Sequence, residues 1–371
     1  MSGTEVDLRG GDAAGVNELL ARAAASPSAA RDDLTIAIDD FFLPDHARLD
    51  ERTRAALAAL LHALVETFEG ELRGRAARLL NARGEGTLSD ALLDPGDSVL
   101  PRLARAGLLR DRELMGELIA RVRQDALAGA LPMAAPEEPD RPSLINRYVQ
   151  HPDRVLAAAA MAVLVAENRR RTGLESGPLQ HSDLPAELHH RLLWWVAAAL
   201  RERVASIAAD GLGKLDRALS DAALRSLTAY DEGERLEAAA LRFAAAIDPQ
   251  PLEVPQMLVE VLGDRQLVLF IALVAHAVGV DYAIVRDMVL DPAGDRLWVA
   301  LRAIDVPRQA IAQIGFALGE ADPRRDLEGF ADTIGTIAAV EPGAARDALA
   351  ALRLDPAYRA ALAALGRAGM P

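Results

Sequence analysis

Residues 267–280 read LVLFIALVAHAVGV, thirteen apolar or small residues around a single histidine, His276. Such a run fits a membrane segment, an active-site wall or a helix packed tightly in a core. A spanning helix needs about 20 apolar residues. This run has 14 and is preceded by Asp264 and Arg265, so the membrane reading fails on length. Leu269, Leu273, His276 and Val280 recur at i, i+4, i+7 and i+11, one stripe of a helix. His276 is therefore expected as a buried core histidine whose imidazole finds a hydrogen-bond partner. A ligand-binding or pH-sensing histidine is the alternative.

The rest of the chain has the same helical bias. Apolar residues make up 51% of the 371 positions but aromatics only 4%. The bulk is alanine and leucine, strong helix formers, and alternating β-branched runs are missing. The chain reads as all-α. Its 55 acids outnumber its 41 bases, for a net charge of −14. Nucleic acid is a poor partner for that balance, because phosphate binding needs a basic footprint. The absence of cysteine excludes thiol catalysis, disulfides and thiolate metal sites. The opening MSGTEVDLRGGD has neither a basic n-region nor an apolar h-region, so no secretory signal is expected and the bacterial cytoplasm is the expected location.

LPMAAPEEPDRPS (131–143) holds four prolines and three acids, a composition that no helix survives. It divides the chain into an expected N-terminal helical domain, 1–130, a linker, 131–143, and a C-terminal helical-repeat domain, 144–371. A weaker break falls at 172–184. Before the linker, the periodicity predicts helices near 13–25, 28–42, 50–81, 87–93, 97–107 and 111–129. Helix 50–81 starts at Asp50 and carries Leu57, Leu60, Leu64, Phe68 and Leu72 on one stripe, with a break expected near Gly70. It is long enough to form a homodimer by pairing with its own copy. After the linker, helices are predicted at 153–171 and 184–209. Arg169, Arg170 and Arg171 end the first of these, where cations suit the helix dipole and solvent.

Asp-Pro occurs at 94, 248, 291, 322 and 355, and the last four lie 43, 31 and 33 residues apart. Proline begins a helix well and the preceding aspartate can cap it. Each pair therefore reads as a turn between helices, at the spacing of helix-pair solenoids. Laying Asp94-Pro95 on Asp291-Pro292 brings Leu72 onto Leu269, Leu88 onto Val285 and Leu92 onto Val289. An internal duplication of HEAT-like helical repeats, or a layered helical bundle, is the expected architecture.

Chemical signatures are few. HSDLPAELHH (181–190) is the one histidine cluster. Glu187 and His190 have the i, i+3 spacing of di-iron bundles, but the second Glu-x-x-His is missing. His189 and His190 are adjacent and diverge on a helix, so they are expected as solvated first-turn residues and no metal or cofactor is expected. DGLGKL (210–215) fails as a phosphate loop, since Ala208 and Leu215 stand where glycine and Ser/Thr are required. His62, within the long helix, and His46, just before it, are candidate phosphoacceptors. Leu192 and Trp195 share the presumed core face, which turns Trp194 about 100° away. Trp194 is the candidate partner contact.

The long helix 50–81, LPAELHHRLLWWVAAALRERV (184–204) and LVLFIALVAHAVGVDYAIVRDMVLDPAGDRLWVALRAI (267–304) together resemble an alphaproteobacterial family of helical proteins known only as a domain of unknown function. The resemblance covers residues 45–320. It implies an all-helical, HEAT-related fold and carries no catalytic residue. The resulting expectation is a non-enzymatic scaffold or regulatory adaptor that binds a protein partner. A histidine phosphotransfer module and a small-molecule sensor with an inter-helix pocket are the alternatives.

Overall fold

The computed structural model describes residues 48–94, 96–133, 142–175, 179, 181–208 and 211–368. The chain forms two compact units, Met1–Arg54 and Ala55–Pro371. The helices expected at 13–25 and 28–42, and His46, lie outside the described residues. Of the first unit, residues 48–54 are described. There the Asp50 carboxylate accepts from Thr53 N at 2.8 Å and from Thr53 Oγ1 at 2.6 Å, capping the first helix.

Every regular element among the described residues is helical. The first four α-helices are α1 (Glu51–Ala82), α2 (Gly86–Leu93), α3 (Leu100–Arg105) and α4 (Arg112–Ala130). Then come α5 (Leu144–Val149), α6 (Arg154–Glu175), α7 (Ala186–Ala208), α8 (Leu212–Ala229) and α9 (Leu236–Ile247). The remainder are α10 (Val254–Gly263), α11 (Leu267–Val278), α12 (Tyr282–Leu290), α13 (Asp295–Ala303), α14 (Arg308–Ala321), α15 (Leu327–Ala339), α16 (Pro342–Ala348) and α17 (Pro356–Ala368). Helix α1 runs unbroken through Gly70, against the break expected there.

Helix α11 contains most of the opening run and lies at the centre of the second unit. It packs against α4, α9, α10, α12 and α13. Nine of its twelve residues are buried, including the whole stretch Leu269–Ala275. A helix that is apolar all round belongs inside a core. His276 corrects its expectation: it is exposed, with Nε2 3.2 Å from Asp248 Oδ1. The stripe argument fails because this helix is buried on every face until its last turn, where His276 emerges beside the left-handed Gly279 cap.

Helices on both sides of 131–143 share one apolar cluster. It joins Ala120, Leu127 and Leu131 to Leu144, Phe243, Phe270 and their neighbours. Helix α4 also reaches α11, α12 and α14, and α6 packs on α9. These contacts between helices distant in sequence build a layered bundle.

Three of the five Asp-Pro turns share one chemistry, whereas Asp248 ends its helix in the left-handed region, φ 41°. Asp94, Asp291 and Asp322 sit at the C-caps of α2, α12 and α14 with extended ψ of 122°, 117° and 102°. A residue before proline is driven out of the α region, which ends the helix. The carboxylate then accepts from the backbone N–H two residues on: Gly96, Ala293 and Arg324, at 3.4, 3.2 and 3.1 Å. These are Asx turns. Asp355 has the expected capping role, holding Ala357 N at 2.8 Å at the start of α17.

Candidate functional site

The segment 181–185, HSDLP, links α6 to α7 and is mostly buried. It is pinned by polar bonds because it has no helix ladder of its own. His181 Nδ1 accepts from Asp183 N at 3.2 Å. That bond leaves the proton of the neutral imidazole on Nε2. Ser182 Oγ lies 2.8 Å from His189 Nδ1, and Leu184 O accepts from the Tyr230 hydroxyl. Just upstream, Leu179 N donates to Thr67 Oγ1 on α1 at 2.7 Å.

These bonds assemble an aromatic cluster. The Tyr230 ring, at the end of α8, is stacked against His189 at 3.8 Å and His181 at 5.0 Å between centroids. Phe68 of α1 meets His189 edge to face at 4.9 Å. The solvated position expected for His189 is corrected: its backbone lies in the first turn of α7, but the ring points inward and the residue is 5% exposed. Glu187 and His190 face solvent. Burial, reinforced by the neighbouring His181 and His190, lowers the His189 pKa to about 4. Burial likewise lowers that of His181 and raises that of Tyr230. All three rings are neutral at pH 7.

The cluster lines a cleft of about 810 Å³ walled by α1, the α2–α3 loop, segment 181–182 and the end of α8. Neither His181 Nε2 nor His189 Nε2, both shielded from solvent, has a hydrogen-bond partner among the described residues. An unpaired buried polar group costs about 1–3 kcal/mol. Phe68 offers His189 no more than a weak π contact. Arg73 Nε, in the wall formed by α1, is likewise buried without a partner among the described residues. Buried Glu69 accepts from Val99 N at 3.2 Å and from Arg203 Nη1 at 3.0 Å, and lies 3.4 Å from Arg73. Arg75 pairs with Glu71 at 2.8 Å.

Asp183 joins the cleft to a buried ionic network. Its backbone is left-handed, φ 56°. Its carboxylate accepts from Arg170 Nε at 2.5 Å and from Leu236 N at 3.1 Å, the first residue of α9. Arg170 also donates to Glu237 at 2.6 Å. Arg121 Nη1 donates to Ser182 O at 3.2 Å. Glu117 accepts from Arg235 at 3.1 Å and from Arg286 at 2.7 Å. Burial raises the Glu237 pKa, but Arg170 and Arg235 outweigh it and hold the carboxyl well below its usual range. The solvated reading of Arg170 is thereby corrected: it is 7% exposed and its guanidinium is enclosed by acids from other segments. The adjacent Arg169 pairs with Glu234 at 2.6 Å.

The remaining sequence candidates do not converge. His62 is exposed on α1 at the rim of the cleft, 3.9 Å from Glu66. Trp194 is half-buried and donates Nε1–H to His190 Nε2 at 3.2 Å; Trp195 is also half-buried. Among the described residues no three histidine or carboxylate groups converge as metal ligands, and no helix is long and apolar enough to cross a membrane. The cleft could not have been read from the sequence. Its walls come from separate stretches of the chain, with the lining residues of α1 and segment 181–182 more than 100 residues apart, and the one local signal was the grouping of histidines with a serine and an aspartate in HSDLP.

No curated protein and no solved structure matches the chain. A family model described as "Uncharacterised protein conserved in bacteria" (DUF2336) matches residues 137–350. The match takes in α5 to α16, and with them Arg170, HSDLP, His189, Tyr230 and Glu237. It leaves out Phe68 and α17. With more than half of its length matched, the chain belongs to the DUF2336 family of bacterial proteins.

Proposed function

We propose that this protein is a non-enzymatic regulatory adaptor, built from HEAT-like helical repeats and acting on a protein partner in the bacterial cytoplasm. The open face of α17 carries this reading. Tyr358, Leu362 and Leu365 recur at i, i+4 and i+7 and are 56%, 46% and 70% exposed. Large apolar side chains grouped at helical spacing on a surface mark an interaction site. The helix is anchored at its start, where Asp355 caps it and Arg359 reaches Asp281 at 3.4 Å. A partner with an apolar groove fits this face by the helix-in-groove mode. Half-buried Trp194 supplies a second candidate contact.

The test is a quantitative affinity pull-down from native cytoplasm, comparing wild type with Leu362→Glu/Leu365→Glu and with Trp194→Ala. A stoichiometric partner is expected with wild type and lost in the double variant. Equal capture by both proteins removes α17 as the docking face. Light scattering of the purified chain separates a homodimer, through α1 or α17, from a monomer awaiting another protein.

The exposure of His62 in the middle of a helix favours a second reading, phosphotransfer. Incubation with acetyl phosphate and intact-mass measurement tests it. One acid-labile phosphoryl group, lost in His62→Gln, supports transfer; an unchanged mass rejects it.

A further inference from the structure

We propose that α17 of one copy docks in a groove of a second copy, so that two chains associate by exchanging these helices. The proposal rests on the same open face as the adaptor reading and names what covers that face in the free protein.

Helix α17 has no packed face within its own chain. Every side chain described on it is exposed except half-buried Arg359. An isolated helix of 13 residues is marginal in water. The stripe Tyr358, Leu362 and Leu365 therefore calls for a surface that its own chain does not supply. A groove of about 530 Å³ opens at the root of this helix. Helix α9 lends it Leu241 and Ala245, the end of α11 lends His276, and Val280, Leu352 and Leu354 complete the wall. Leucine side chains at helical spacing seat in such a groove.

Charge matches the helix to the groove. Helix α17 carries Arg359 and Arg367 and no acid. Asp281 and Asp355 line the groove, Asp248 stands at its edge beside His276, and Arg353 is the one arginine in the lining. Arg359 meets Asp281 of its own chain, Asp355 caps α17, and Arg353 is turned to Val278 O. Among the described residues the Asp248 carboxylate meets only His276, and its side chain is 82% exposed. It suits a base on an incoming helix.

Symmetry closes the pair. Pro356, the first residue of α17, itself lines the groove, so helix and groove are neighbours on one surface. A two-fold axis beside them lets each helix enter the other chain's groove. The contact then ends at two copies instead of growing into a filament.

Sedimentation equilibrium of the full-length protein, from about 1 to about 100 μM, tests the exchange. Wild type is compared with Leu362→Glu/Leu365→Glu and with Ala245→Arg. All three positions are exposed, so both variants spare the packed core. Ala245→Arg fills the groove and gives it the charge of the incoming helix. Wild type is expected to pass from the mass of one chain to that of two, and each variant to weaken association by about tenfold or more. The proposal is overturned if wild type stays monomeric or grows beyond two chains. It is overturned equally if either variant associates as wild type does; an effect of the α17 variant alone would set the two α17 helices against each other. A monomeric wild type that captures another protein through α17 overturns the exchange and keeps the adaptor reading. A dimer sensitive to both variants that captures no other protein does the reverse.

Discussion

Asp183 combines a left-handed backbone with a buried charge. Non-glycine residues rarely hold such a φ, though aspartate and asparagine tolerate it best. Asp183→Asn keeps the shape and the backbone preference but removes the charge facing Arg170. Breaking one side of a buried ion pair costs about 3–5 kcal/mol, and urea denaturation should show a loss in that range. Asp183→Ala should lose more, because alanine also resists φ 56°. His189 makes stability depend on pH. Its folded pKa, about 4, lies below the unfolded value near 6.5. The unfolded chain therefore binds the proton more readily. The contribution of His189 is complete above pH 6.5 and is lost as pH falls toward 4, with a slope of up to about 1.4 kcal/mol per pH unit. A folded His189→Phe variant should show a correspondingly flatter dependence of denaturation free energy on pH across that window.

At the scale of the element, α14 and α15 meet through glycines. A Cβ on Gly315 would collide with the Phe330 ring, and one on Gly319 with Leu327. Both glycines are buried and helical, so their missing side chains provide the groove that α15 fills. Gly315→Ala gains helix propensity of about 1 kcal/mol but forces Phe330 out of its seat beside Trp298. Overpacking costs about 1–3 kcal/mol, so calorimetry should show a lowered melting temperature. Gly70→Ala, with open space around its Cβ, should raise it. The elements were legible where local pattern alone decides them. Asp50 and the leucine stripe marked α1, and the Asp-Pro pairs marked turns. What each aspartate serves was not legible, because an Asx turn and a helix cap use the same residue type. His276 was misplaced because a helix buried on every face has no single stripe. Arg170 read as solvated because its neutralising partners, Asp183 and Glu237, stand 13 and 67 residues away.

Across the whole molecule, the all-α class followed from composition, and α11 from a run too short for a membrane. The cleft and the ionic network did not, since both are products of tertiary assembly. The network also bears on how the fold forms. Its bonds join Glu117 to Arg235 across 118 residues and Glu117 to Arg286 across 169. Closing loops of that length costs entropy before any contact is made, and charges cannot shed water profitably until every partner has arrived. The network is therefore expected to form late on the folding route, after the apolar helices have gathered around α11. Asp183→Asn should accelerate unfolding in stopped-flow experiments and leave the refolding arm of the chevron nearly unchanged. The buried charges then act chiefly as a brake on opening: they set how long the native protein lasts more than how quickly it is made.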